Sequence, residues 1–235
     1  MDKILWKPDN NQQTHFDHFI DLVNSKYDLD LKTYNDLYDW SVNNIPQFWE
    51  DTLDYSDIVY SGTYDRVIDN LKIKPGVKWF PGMSLNFAEN LLKYRDDKTA
   101  IISKIENHPL RKITYHQLFA EVEKLAASLR DLGVTRGDRV AGFLPNIPEA
   151  IIAMLATASI GAIWSSSSPD FGIKSVTDRF SQIKPKIIFS ASAYLYNGKS
   201  YSSTNSLTAS LSGSENGPVP LYVSPQPSLL EPSLS

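Results

Sequence analysis

Cysteine is absent from the 235 residues. Its absence excludes disulfide bonds, thiolate metal ligands and a cysteine nucleophile, and it fits a reducing compartment, so we expect a cytoplasmic protein. Long apolar runs are missing as well. The most apolar stretch, 150–164, is shorter than the roughly 20 residues of a membrane span, and the first residues lack the apolar core of a signal peptide. We therefore expect neither secretion nor membrane insertion.

Positive charge is not concentrated anywhere in the chain, and the formal net charge is −4. A protein that neutralises the phosphates of a nucleic acid needs a stripe of Lys and Arg, so we expect no nucleic-acid partner. The hydrophobic share of 42% is ordinary for a globular protein. The length allows one domain with appendages, which leaves an enzyme open.

Residues 1–98 have helical patterning and are rich in acids and aromatics. Thr33 is a predicted N-cap for a helix over 34–43, and Pro46 suits the first turn of a further helix. Four apolar residues recur at the spacing of one helical face: Phe16, Phe19, Ile20 and Val23. The pattern predicts an N-terminal helical appendage.

From residue 99 to residue 199, short apolar runs alternate with helical stretches. The predicted strands are 100–105, 139–144, 162–165 and 186–190, and the predicted helices are 115–132, 148–160 and 173–183. Predicted caps are Thr114 with Gln117, Gly133 after a helix, Asn146 before Pro148, and Asp170. Strands joined through helices lie parallel with both faces covered, so the fold class is α/β with a doubly wound parallel sheet that ends at 186–190.

The last segment, 200–235, changes composition sharply. It is rich in Ser and Pro and has no Lys or Arg. Too few large apolar residues are present to offset the entropy of ordering, so we expect a disordered tail. Such a tail is typical of a shifted reading frame or an alternative splice.

Three generic motifs are disfavoured. Residues 193–200 end like a phosphate-binding loop, but Ala193 stands where the first glycine belongs and no helix is predicted next. His15 and His18 lie three apart without a third ligand, so a solvated helix face is favoured over a metal site. The serines at 165–168 lack a G-x-S-x-G pattern and suit instead the carboxyl edge of a sheet that a ligand approaches.

Several stretches carry a family resemblance. They are 79–92 (WFPGMSLNFAENLL), 113–115, 133–140 (GVTRGDRV), 145–150 (PNIPEA), 153–156, 161–172 (GAIWSSSSPDFG) and 178–180, with 5–9 and 39–42 near the start. Together they resemble the acetyl- and acetoacetyl-CoA synthetase branch of the adenylate-forming enzymes. Ser168–Phe171 and Asn90–Leu91 depart from the usual acetyl-CoA synthetase residues and favour the acetoacetyl side. The resemblance covers residues 1 to about 199.

The resemblance implies a two-step acid–thiol ligase. ATP and acetoacetate would give an acyl-adenylate and pyrophosphate, and the thiol of CoA would then attack the acyl carbon. The family uses Mg2+, a Ser/Thr/Gly-rich loop that ends in lysine, and a lysine from a mobile C-terminal domain to stabilise the developing charge. No such loop occurs in these residues, so we predict that this chain alone is inactive and has no catalytic residue.

The resemblance also implies a partial CoA surface. Its predicted residues are Ser168, Pro169, Gly172, Gly198 and Lys199, with Lys199 standing where the family has a phosphate-binding arginine. Tyr196 replaces the first arginine of that segment, and an exposed loop lysine is an equally good interpretation of Lys199.

Two hypotheses remain open. In the first, the chain is an acetoacetate–CoA ligase by descent, with a helical region at 1–98, the first part of the AMP-binding domain at 99–199 and a disordered tail at 200–235. In the second, it is a non-catalytic isoform that binds CoA or a protein partner. Both predict small-molecule ligands, and neither sets the oligomeric state.

Overall fold

The computed structural model describes residues 13–72, 75–202 and 221–224, without the side chains of Ile173 and of 221–224. The chain divides into two compact units, Met1–Leu85 and Asn86–Ser235. Within the described residues no helix is long and apolar enough to cross a membrane.

The first unit begins with three helices: α1 (His15–Tyr27), α2 (Tyr34–Asn43) and α3 (Ile45–Tyr55). Thr14 and Thr33 start α1 and α2 with complete capping boxes, in which each hydroxyl accepts a backbone N–H and an aspartate three residues later bonds back. A proline in its first turn starts α3. The predicted helical appendage, with Thr33 as a cap, is confirmed.

A small apolar core holds these helices together. Ile20, Val23 and Leu37 are buried, and half-buried aromatic residues, among them Phe19 and Trp40, pack around them. Phe16, which shares the predicted apolar face, stays 37% exposed. Its ring instead stacks on Tyr34 at 6.2 Å between centroids.

The second unit is built on a four-stranded parallel sheet. The strands are β3 (Arg139–Phe143), β4 (Ile163–Ser167), β5 (Ile187–Ala191) and β8 (Leu221–Ser224), in the order β4-β3-β5-β8. The connecting helices are α5 (Tyr115–Asp131), α6 (Pro148–Ser159) and α7 (Ile173–Ile183), and the short α4 (Phe87–Leu91) precedes them. The α/β class and the predicted helices are confirmed.

Both faces of this sheet are covered. Val140 and Ile187 face a large core that includes buried residues of α5 and α6. Ala141 and Ile188, one position further along each strand, face a second core with Val176 of α7. Period-2 alternation therefore sends successive side chains to opposite cores, as a doubly wound sheet requires.

The described part of this unit also contains two small antiparallel pairs. β1 (Thr99–Ser103) pairs with β2 (Arg111–Thr114), and β6 (Ala193–Tyr196) pairs with β7 (Lys199–Ser202). The predicted strand at 100–105 therefore exists, but it lies outside the parallel sheet. Its backbone hydrogen bonds are made with β2, which is close in sequence. A short apolar run does not indicate which strand it will pair with.

Other expectations also fail locally. Gly172 and Ile147, and not Asp170 and Asn146, occupy the N-cap positions of α7 and α6, and neither makes a side-chain cap. The parallel sheet does not end at β5, because β8 pairs with it. Of the predicted disordered tail, 200–202 lie in β7 and 221–224 form β8, where Leu, Tyr and Val are good strand formers; the remaining tail residues lie outside the described residues.

Candidate functional site

The loop that follows β4 is folded by a serine–aspartate turn. Ser168 Oγ donates to Asp170 Oδ2 at 3.0 Å and accepts from the backbone N–H of Asp170 at 3.3 Å. The backbone N–H of Phe171 bonds back to the carbonyl oxygen of Ser168. Asp170 is thus engaged within the loop, which is why it does not cap α7. This loop lies at the carboxyl edge of the parallel sheet, where open α/β sheets bind ligands.

The start of α7 leaves space beside this loop. A Cβ added at Gly172 would have no other atom within 4 Å. Phe171 is exposed, and the guanidinium of Arg179 lies 4.4 Å from the centroid of its ring. The structure therefore brings together two separate stretches of the family pattern, 161–172 and 178–180.

Gly198 lies in the tight turn of the β6–β7 hairpin, and Lys199 is the first residue of β7. Asn197 and Gly198 both have positive φ, 50° and 72°, as a two-residue turn that matches the strand twist requires. The rings of Tyr194 and Tyr201 stack across the hairpin at 5.5 Å. A strand that begins at Lys199, and not a helix, follows the turn, so the turn lacks the helix N-terminus of a phosphate-binding loop.

The tip of this hairpin is held by Glu106, a residue that the sequence did not single out. One carboxylate oxygen accepts the N–H of Asn197 at 3.1 Å, and the other accepts the N–H of Gly198 at 2.8 Å. Glu106 lies between β1 and β2, 92 positions from Gly198. No local sequence signal connects residues so far apart.

The base of the hairpin lies in the electrostatic field of the β4–α7 loop. Burial is the main cause that raises the pKa of Tyr194, and the charge of Asp170 raises it further. Lys199 is exposed, and the part of the chain that the structure describes offers it no ion-pair partner. Within the described residues, no direct hydrogen bond joins the predicted site residues of the loop to those of the hairpin. The two groups are related only through the charge of Asp170, which acts on Tyr194.

Pro169 lies between Ser168 and Asp170 in the loop turn and is half-buried. The neighbouring Ser167 is 6% exposed, and its Oγ has no hydrogen-bond partner among the described residues. The serines of this region therefore differ in role. Ser168 organises the turn, whereas Ser167 contributes a small buried side chain at the end of β4.

The histidine pair does not assemble a metal site. His15 Nδ1 lies 3.1 Å from the hydroxyl of Tyr55, and His18 is exposed. Within 13–72, 75–202 and 221–224, no group of three His, Cys, Asp or Glu residues could hold a metal ion.

A cavity of about 390 Å3 lies between α5, α6 and the sheet in the second unit. Leu125, Leu144, Ile152 and Phe189 contribute its apolar wall. At its mouth Arg111 pairs with Glu149 at 2.5 Å.

Comparison with known proteins gives a consistent picture. A family model described as AMP-binding enzyme matches residues 87–224, and one described as acetyl-coenzyme A synthetase N-terminus matches residues 34–91. The first match continues past Lys199, so the resemblance extends further than expected. The matched segment contains the β4–α7 loop and the β6–β7 hairpin.

Three relatives illustrate the similarity. The chain is 50% identical over 202 residues to an acetoacetyl-CoA synthetase from Xenopus tropicalis, which covers 85% of this chain and 30% of the relative. It is 48% identical over 214 residues to the acetoacetyl-CoA synthetase of Gallus gallus, over 90% of this chain and 32% of that protein. A solved acetoacetyl-CoA synthetase from Streptomyces lividans superimposes with a TM-score of 0.84 at 35% identity, over 94% of this chain and 37% of its own. The chain thus spans about a third of the length of these relatives.

Proposed function

The chain belongs to the AMP-binding enzymes, and we propose that it forms the first part of an acetoacetate–CoA ligase. The observation that carries this proposal is the 50% identity to an acetoacetyl-CoA synthetase over 85% of the chain. Agreement with the Streptomyces lividans enzyme in fold and over 94% of the chain supports it.

The proposed reaction joins acetoacetate to CoA in two steps. An oxygen of the acetoacetate carboxylate attacks the α-phosphorus of ATP, and pyrophosphate leaves. The sulfur of CoA then attacks the acyl carbon, its proton is lost to a base or to solvent, and AMP leaves with the bonding electron pair. Both leaving groups carry charge that preorganised donors must stabilise.

These 235 residues contain no Ser/Thr/Gly-rich loop that ends in lysine. When bound, Mg2+ would neutralise charge on the triphosphate. Removing one preorganised donor from known sites costs about 3–4 kcal/mol of transition-state stabilisation, and several would be missing together. We therefore propose that this polypeptide alone does not form the acyl-adenylate.

The part of the site that this chain would supply is a surface for CoA. The Ser168 turn gives a compact rim at the sheet edge, and Gly172 leaves room for a ligand beside it. Lys199 would supply a point charge to a phosphate group. Because the Ser168 hydroxyl is engaged with Asp170 in folding the loop, the proposed role of this surface is binding. The use of acetoacetate in cytoplasmic lipid synthesis is part of the same proposal.

Two measurements test the proposal. Acetoacetate-dependent exchange of pyrophosphate into ATP should be absent from the purified 235-residue chain and present in the Xenopus tropicalis relative as a positive control. Clear exchange by the chain alone would overturn its predicted inactivity. Titration calorimetry should detect CoA binding to the chain, and Lys199→Met should weaken it several-fold because one phosphate loses its counter-charge. Lys124→Met, on the exposed face of α5, is the matched control and should leave CoA affinity unchanged.

A further inference from the structure

The turn of the β6–β7 hairpin already binds an anion, which is the side chain of Glu106. Its two carboxylate oxygens accept the consecutive backbone N–H groups of Asn197 and Gly198, at 3.1 and 2.8 Å. Successive N–H groups in such a turn form a concavity that suits the oxygens of carboxylates and phosphates alike. Both residues have positive φ, which turns the two N–H groups towards the same carboxylate.

The contact has the properties of an exchangeable one. Glu106 is exposed, so its carboxylate regains water when it leaves the turn. The next residue, Lys199, is also exposed and has no ion-pair partner within the described residues. A phosphate group carries more charge than a carboxylate and would gain both the two N–H groups and the lysine ammonium.

We propose that Glu106 is an internal competitor that occupies the anion site of the β6–β7 turn, and that a phosphate group of a ligand displaces it and pairs with Lys199. The identification of this ligand as CoA rests on the proposed function. The competition itself rests on the turn and on Glu106. Apparent affinity for the phosphate ligand is therefore lowered by the fraction of molecules in which Glu106 fills the turn.

The opposite role for Glu106 would be to pin the hairpin in the shape that a ligand needs. The two roles predict opposite signs for Glu106→Gln. As a competitor, the neutral amide leaves the turn more readily, so the ligand binds more tightly. As a pin, the weakened contact loosens the hairpin, so the ligand binds less tightly.

The test follows the backbone amides of Asn197 and Gly198 by NMR while CoA or inorganic pyrophosphate is titrated into the full chain. With Glu106→Gln, we expect about tenfold tighter binding of both probes and a larger shift of the Gly198 amide. Glu121→Gln on α5 removes one negative charge elsewhere and should leave the affinity as in the unchanged protein. A cross-strand contact between Leu195 and Ser200 reports whether the hairpin remains formed.

Each outcome decides between the roles. Unchanged or weaker binding to Glu106→Gln, a lost hairpin, or an unmoved Gly198 amide with both probes would overturn the competitor role. Tighter binding of pyrophosphate without any binding of CoA would support the competitor and remove the CoA proposal. If the unchanged protein and Glu106→Gln bind CoA equally and the Gly198 amide resonance does not shift, the CoA proposal stands and the competitor role of Glu106 is overturned.

Discussion

Asn86 joins the start of one helix to the end of another through its bond to Ala158. Its Nδ2 donates to the carbonyl oxygen of Ala158 at 3.0 Å and to that of Ser159 at 3.2 Å, at the end of α6. Its Oδ1 meanwhile accepts the N–H groups of Ala88 and Glu89 in the first turn of α4. An asparagine has both the acceptor and the donor that this bridge needs. The WFPGMSLNFAENLL stretch thus has a structural reason for asparagine at this position.

Substitution of Asn86 should separate its role as the cap of α4 from its role as a donor to the end of α6. Asn86→Asp keeps the helix cap but places a carboxylate against two carbonyl oxygens, whereas Asn86→Ser keeps a cap and leaves the carbonyls to water. We expect a loss of about 1–3 kcal/mol for Asn86→Asp and a smaller loss for Asn86→Ser, measured by urea unfolding. Equal stability of Asn86→Asp and the unchanged protein would show that the donor side contributes nothing.

Gly142 should not tolerate even a methyl group. A Cβ at this position of β3 would lie 2.6 Å from two ring carbons of Trp164, which also packs near Phe189. The indole would have to move within a packed core, so Gly142→Ala should cost about 1–3 kcal/mol and shift tryptophan emission. Gly172→Ala, where the new methyl group meets no atom, is the control for stability.

The double variant Gly142→Ala with Trp164→Leu then shows whether the loss of stability comes from the clash with the indole or from the loss of a glycine backbone conformation. Because the smaller side chain makes room, the double variant should be more stable than the sum of the two single losses predicts. Strict additivity would argue that the indole contact is not the cause.

Periodicity predicted the helices because the apolar residues of one helical face, and the capping residues, lie within a few positions of each other in the sequence. The α5 pattern from Tyr115 and its Thr114–Gln117 capping box appear as expected, since both depend on residues within a few positions of each other. The partner of β1 could not be predicted, because a short apolar strand has no feature that separates a hairpin from a parallel sheet.

The hairpin turn has a local sequence signal. Asn197-Gly198 is a strong hairpin pattern, although Gly198 with the lysine and serine that follow also resembles the end of a phosphate-binding loop. Glu106 could not have been found, because its contact joins loops that only the folded chain brings together. The loop-forming role of Asp170 was also hidden, since an aspartate before a helix usually indicates a cap.

The pH dependence of stability should show the contribution of the ionised carboxylate of Asp138. Its Oδ2 accepts the backbone N–H of Thr135 at 2.8 Å and the ammonium of Lys186 at 3.0 Å, and these contacts lower its pKa from 3.8 to about 2. A carboxyl group with a lowered pKa stabilises the fold above about pH 4 and loses that contribution as the pH falls towards 2.

Asp138→Asn should therefore be less stable than the unchanged protein at pH 7, and the difference should shrink between pH 4 and pH 2. The measurement is the urea midpoint across that range. Glu123→Gln, an equivalent charge removal on the exposed side of α5, serves as the control. A difference that stays constant down to pH 2 would contradict the assigned cause.

The ion pair between α1 and α3 should make the first unit sensitive to Lys26. Its ammonium lies 2.5 Å from Oδ1 of Asp51, whose side chain is only 1% exposed, and this contact is the main cause that raises the pKa of Lys26. Asp51 Oδ2 has no hydrogen-bond partner among the described residues, and Lys26 supplies the positive charge that balances the carboxylate. Lys26→Met would leave a buried charge unpaired and should cost about 1–3 kcal/mol.

The double change Lys26→Met with Asp51→Leu tests whether the pair or the burial matters. Two apolar side chains of similar size remove the stranded charge, so the double variant should recover most of the stability that Lys26→Met loses. Lys32→Met, which breaks an exposed pair with Asp30, is the matched control and should leave the stability nearly unchanged, because solvent screens that pair. Urea unfolding followed by far-UV circular dichroism measures all three. If the double variant is no more stable than Lys26→Met alone, the buried carboxylate is not the source of the loss.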